Sequence, residues 1–106
     1  MLSNAQVSTL RRQFLARQDT LPKVLGALGD PGRFRIFTLL MVRHDICVTD
    51  VAKIFRITVS AACQQLRVLE LSGLVKKTRM GQMVCYEVKR EHPTVKRFIQ
   101  FLRSSE

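Results

Sequence analysis

The stretch over residues 49–88 constrains the fold of this chain most. Thr49 and Thr58 each precede a helix-prone run, and a threonine oxygen can accept the free N–H groups of a helix start. Thr49 opens a helix over residues 50–55, with Asp50 complementing the positive end of its dipole. Arg56-Ile57 make a tight turn. Thr58 opens a second helix running to about residue 72, and Gly73 stands where a left-handed residue closes a helix. Two β-prone runs follow at once, residues 74–79 and 83–88, on either side of Met80-Gly81-Gln82. A glycine between two such runs marks a hairpin. Two short helices joined by a turn and followed by a hairpin make the winged helix-turn-helix plan, a mainly α fold with a small β-hairpin.

The flanking segments fit the same plan. Residues 3–17 predict a helix with Val7, Leu10 and Phe14 on one stripe. Thr20 can cap a second helix with Pro22 in its first turn, ended by Gly29. Asp30-Pro31 is an N-cap followed by a proline at the first helical position. The helix it opens carries Phe34, Ile36, Phe37, Leu39, Leu40 and Met41, is apolar on most sides, and is expected to be the central core helix, stopping near His44-Asp45. His92-Pro93 opens a last helix with Val95, Phe98, Ile99 and Leu102 on its apolar face. At 106 residues this is one domain: 1–18 and 92–103 as dimerisation helices, 49–72 as the helix-turn-helix, 74–88 as the wing.

The second helix of the pair carries the functional argument. Val59, Ala62, Leu66 and Leu69 fall on one face and are expected to pack inward. Ser60, Gln64 and Arg67 fall opposite, flanked by Ala61 and Gln65. A helix entering a DNA major groove needs such a small, polar N-terminal half, because bulk there blocks approach. Charge agrees. The chain carries 18 Lys+Arg against 8 Asp+Glu, a formal net charge of +10. Over residues 51–83 the basic residues are Lys53, Arg56, Arg67, Lys76, Lys77 and Arg79, and the sole acid is Glu70. Such a balance on a folded domain calls for a polyanionic partner, nucleic acid first. The expected DNA contacts are Thr58, Ser60, Ala61, Gln64, Gln65 and Arg67 on the helix, and Lys76, Lys77, Arg79 and Gln82 on the wing.

Three stretches then resemble one family. Residues 27–36, ALGDPGRFRI, resemble the "aLadptRlrIl" opening of ArsR/SmtB-type regulators. Residues 60–75, SAACQQLRVLELSGLV, resemble their "StvSrHLkvLreaGLV", and residues 79–88, RMGQMVCYEV, resemble their wing, "r.Gr.v.Y.l". Departures are Arg56 where the family often has glycine in the turn, Gln65 for the usual histidine, and Cys63 for the usual serine. The resemblance implies a homodimeric transcriptional repressor that binds a near-palindromic double-stranded operator and lets go when an inducer binds. It also implies a dimer interface on the first and last helices. The stripes Val7/Leu10/Phe14 and Val95/Phe98/Ile99/Leu102 agree, since the winged-helix core does not need them and exposure would leave an apolar patch.

The family's metal sites are not reproduced. Metal sensors of this type often carry Cys-x-Cys at the start of the helix preceding recognition, where this chain has Cys47-Val48-Thr49-Asp50. One thiolate and a carboxylate make no soft tetrahedral site. The last helix offers only His92, Lys96, Arg97 and Gln100 in place of the family's Asp and His ligands. No metal and no cofactor are expected. His44 reads as a solvated helix-end residue. Three cysteines at wide spacing, Cys47, Cys63 and Cys85, do not form a disulfide framework and fit a reducing cytoplasm. They read either as small core residues or as a thiol switch centred on Cys47, which lies near Arg43 in sequence. A short strand before the helix-turn-helix can pair with a wing, which would bring Cys47 towards Cys85.

Other classes fit less well. Neither a signal peptide behind Met1 nor a membrane span is expected. A winged helix used for protein–protein contact predicts a neutral or apolar recognition face, and an RNA reader predicts aromatic stacking residues on it. Ser60, Gln64 and Arg67 match neither. No nucleophile–base constellation and no glycine-rich phosphate loop point to an enzyme.

Overall fold

A computed structural model describes residues 1–16 and 21–104. The element order is α1 (Asn4–Leu15), α2 (Leu21–Leu28), α3 (Pro31–Val42), α4 (Val48–Phe55), α5 (Val59–Leu71), β1 (Val75–Met80), β2 (Met83–Val88) and α6 (Pro93–Ser104). This is the winged helix-turn-helix expected from the sequence. The expected cap at Thr20 and the end of the first helix at residue 17 lie outside the described residues.

Local chemistry sets most boundaries. Ser3 and Gln6 close a reciprocal capping box on α1, with Gln6 N–H to Ser3 Oγ at 3.1 Å and Ser3 N–H to Gln6 Oε1 at 2.8 Å. Asp30 caps α3 by accepting the Arg33 N–H at 2.9 Å, with Pro31 in the first turn. Thr58 caps α5 by accepting the Ala61 N–H at 3.0 Å. At the other end of α5, Gly73 takes φ 86°. Its N–H bonds to the Glu70 carbonyl at 3.0 Å and the Leu74 N–H to the Leu69 carbonyl at 3.2 Å, the paired closure that a left-handed glycine permits. The hairpin turns through Gly81 and Gln82, with Met80 opposite Met83 and Gly81 at φ 65°. A positive φ at the first turn residue alone is the type II′ arrangement, whose twist matches that of the strands.

One start differs from expectation. Thr49 does not cap α4; the helix begins at Val48 and Cys47 holds the N-cap position. The reason is Asp50, whose carboxylate accepts the Cys47 N–H at 2.9 Å and so draws the helix two residues further back.

The core lies where α3, α4, α5 and the base of the hairpin meet. Phe37, Ile36 and Leu40 of α3 are fully buried with Val51, Ala62, Leu66, Leu69, Leu74 and Val75. Truncating a residue such as Phe37 would cost about 3–5 kcal/mol. α6 also contributes: Val95 and Ile99 are 1% and 7% exposed, with Phe98 and Leu102 packed against the core's margin. This corrects the assignment of that whole stripe to an intersubunit face. Val95 and Ile99 join the chain's own core cluster, so α6 turns this stripe inward. α1, by contrast, buries none of its residues, and Val7, Leu10 and Phe14 are exposed.

Candidate nucleic-acid interface

α5 presents its outer face as the spacing of its residues requires. Ser60, Gln64 and Arg67 are exposed, while Ala62, Leu66 and Leu69 fill the core. Val59 is an exception to the expected inward set, being 50% exposed. It occupies the first helical position and lines a cleft between α5 and the wing instead of reaching the core. Thr58 and Ala61 sit beside the polar face, the first exposed and capping, the second half-buried.

Gln64 and Gln65, alike in sequence, differ in structure. Gln64 is exposed, whereas Gln65 is half-buried and its side-chain oxygen accepts from the Arg33 guanidinium at 3.2 Å. The same guanidinium donates through Nε to the Ala27 carbonyl at 2.8 Å and through Nη2 to the Gly26 carbonyl at 3.5 Å. Arg33 thus ties α5 to the end of α2. Gln65 serves that tie, and the sequence pattern did not reveal it.

The wing brings its cations together unequally. Lys76 is shared between Glu87 at 3.5 Å and Glu91 at 3.8 Å. Lys77 pairs in register with Tyr86 and sits over its ring at 6.0 Å. Arg79 is exposed, two residues along the same strand face. Gln82 is exposed in the turn. Burial, with the nearby Glu70, raises the Tyr86 phenol above its ordinary value, so it stays neutral beside Lys77.

Arg56 ends α4 in the left-handed region, φ 56° and ψ 46°. That is the turn position where ArsR/SmtB-type regulators often have glycine. The substitution leaves a cation between the two helices at the expense of backbone strain.

The cysteines overturn one expectation. Cys47 and Cys85 form a disulfide across an isolated antiparallel bridge, backed by the Tyr86 N–H to Ile46 carbonyl bond at 3.1 Å. The strand-like residue before α4 does pair with the wing, and that pairing places two cysteines 38 positions apart opposite one another. That approach was expected from the sequence; the bond between the two sulfurs was not. Cys63 is free and exposed. Arg43 forms a two-point pair with Asp45, at 3.0 and 2.9 Å, and holds that carboxyl below its ordinary value. Among the described residues no three of His, Cys, Asp and Glu are placed to hold a metal ion.

Comparison with known proteins gives a consistent picture. The model of the family described as "Bacterial regulatory protein, arsR family" matches residues 30–77. A Transcriptional repressor SmtB homolog from Synechocystis sp. is 35% identical over 78 residues, which is 74% of this chain and 58% of that protein, so the chain aligns with less than two thirds of this relative. A solved structure described as a possible transcriptional regulator for arsenical resistance is 30% identical, with a TM-score of 0.60 over 76% of this chain and 80% of that one. A homodimeric winged helix-turn-helix DNA-binding domain from Mycobacterium bovis superimposes with a TM-score of 0.70 over 99% of this chain and 87% of its own, at 22% identity.

Proposed function

The chain belongs to the arsR family of bacterial regulatory proteins, and from that premise we propose that it is a sequence-specific double-stranded DNA-binding repressor, homodimeric, acting on a near-palindromic operator and released by an inducer. The observation that carries this reading is the outer face of α5, where Ser60, Gln64 and Arg67 stand exposed beside a wing bearing Lys77 and Arg79. Gln64 supplies a bidentate amide, the usual reader of adenine edges, in the N-terminal half of the helix that enters the major groove. Arg67 lies nearly one turn further on. The half-site is therefore read mainly at A·T pairs. Lys77 and Arg79 meet phosphates or the adjoining minor groove, which A·T-rich DNA makes narrow and more negative. Lys76 contributes less, its charge being shared with Glu87 and Glu91.

Dimerisation rests on α1. Val7 and Leu10 are 38% and 39% exposed on a helix that buries nothing of its own chain. A second copy covers them and sets two α5 helices one DNA turn apart. The outward part of α6, around Phe101, borders the same interface. No described helix is long and apolar enough to cross a membrane, and the chain works in the cytoplasm, where its DNA is. The family consists of regulators, and the chain is assigned no catalytic activity.

Selection from a randomised duplex library tests this reading. The expected product is a two-fold symmetric motif with A·T-rich half-sites about 10–11 base pairs apart, bound by a species of twice the chain mass in sedimentation equilibrium. Absence of any enriched motif, or a monomer bound to one half-site, contradicts it.

A further inference from the structure

The loop closed by the Cys47–Cys85 bond contains the whole reading surface. Cys47 caps α4 and Cys85 lies in β2, so α4, α5, β1 and the wing turn all fall between them. The bond joins the start of the helix-turn-helix to the returning strand of the wing. Beside it, the segments are linked by the Ile46–Tyr86 backbone bond and by the packing of Val48 and Val51 in the core that Tyr86 and Val88 share. The same point is reached from outside through a cleft of about 460 Å³ between α5 and the wing. Cys47, Val59, Cys63 and Tyr86 line it, with Arg67 and Lys77 against the single acid Glu70. Cys85 does not line the cleft and is 2% exposed.

We propose that Cys47 and Cys85 are a thiol–disulfide couple that sets the DNA affinity of the reading surface, and that anionic low-molecular-weight thiols reach it through this cleft. The proposal rests on the DNA-binding reading above and names the signal that reading leaves open. Disulfides in a reducing cytoplasm are transient and redox-responsive far more often than structural. Both cysteines are buried, at 6% and 2% exposure, but Cys47 alone of the pair lines the cleft, so exchange has a direction. A thiolate RS⁻, drawn in by Arg67 and Lys77, attacks Cys47 Sγ. The Cys47–Cys85 bond breaks, a Cys47–S–S–R mixed disulfide forms, and Cys85 leaves as a thiolate that takes a proton from water. A second RS⁻ attacks the sulfur of R, releasing RSSR and the Cys47 thiolate, which is protonated in turn. The chain gains two electrons and two protons, and two thiols become one disulfide.

Opening the bond removes the covalent tie and leaves the Ile46–Tyr86 backbone bond to hold the wing beside the start of α4, so the wing moves more about the same mean position. Lys77 and Arg79 must then be ordered when DNA binds, so reduction lowers operator affinity by about tenfold. The test uses the full chain, reduced glutathione as the thiol, and the duplex enriched by the selection described above. Iodoacetamide should label one site per chain before treatment, Cys63, and all three cysteines after it. The treated protein should bind the duplex about tenfold more weakly, and oxidised glutathione should restore binding. The double variant Cys47→Ser/Cys85→Ser should bind like the reduced protein and ignore glutathione, while Cys63→Ser keeps the response. A bond that survives millimolar glutathione, or an affinity unchanged or raised after it opens, overturns the proposal and leaves the DNA-binding reading intact. Binding by neither form overturns both.

Discussion

Cutting the Cys47–Cys85 bond should lower the stability of the whole domain, by an amount that follows from its span. A cross-link between residues 38 apart removes loop-closure entropy from the unfolded chain, which corresponds to about 4 kcal/mol at 25 °C. For a chain of 106 residues the entropy of unfolding is about 0.2 kcal/mol per kelvin. Dividing one by the other, loss of the bond should lower Tm by about 15–20 °C. The native contacts change little, because the Ile46–Tyr86 backbone bond and the packing of Val48 and Val51 remain. The measurement is thermal unfolding followed by circular dichroism on Cys63→Ser, with and without a phosphine reductant. Protein concentration is fixed, since a dimer's Tm depends on it. The Cys47→Ser/Cys85→Ser variant should unfold near the reduced protein. A fall of less than about 3 °C, with complete reduction verified by alkylation, would refute the loop-entropy argument.

Three other outcomes follow from particular residues. Arg56→Gly should stabilise the fold by about 0.5–1 kcal/mol in denaturant titration, because relief of the left-handed backbone outweighs the added freedom of the unfolded chain; destabilisation would deny the strain. Arg33→Ala should cost about 1–3 kcal/mol of stability by removing a three-point tie between α2 and α5, and a neutral result in the same titration would show that the tie carries nothing. Leu10→Glu should convert the dimer to a monomer in sedimentation equilibrium while leaving the circular dichroism spectrum unchanged, since Leu10 packs on nothing in its own chain's core.

The sequence was most informative where a local signal acts alone. Asp30-Pro31, Thr58 and Gly73 mark helix ends through their own hydrogen bonds and backbone angles, and the structure places all three as read. Gly81 marks the hairpin for the same reason. Readings failed where two local signals compete or where a distant partner decides. Thr49 is a good cap, but Asp50 reaches back to Cys47 and wins. The stripe on α6 looks unused because nothing in its spacing says whether its own core or a second copy covers it; Val95 and Ile99 go inward. Gln64 and Gln65 are chemically identical, and only Arg33, 32 residues before Gln65, separates their roles. At the cysteines the pairing of the strand before α4 with the wing was legible and does bring Cys47 to Cys85, but the bond across it was not, since the spacing of three cysteines carries no sign of it.

The central claim, that α5 reads bases directly while the wing holds the backbone, is tested most directly by comparing Gln64→Ala and Lys77→Ala with the wild-type chain on the randomised duplex library at several salt concentrations. Gln64→Ala should cost about 1–3 kcal/mol on the preferred site and relax base choice at the A·T positions it reads. Lys77→Ala should weaken binding about equally on every sequence and make the salt dependence shallower by about one unit. If base preference is the same with and without the Gln64 amide, α5 docks without reading, and the account is contradicted.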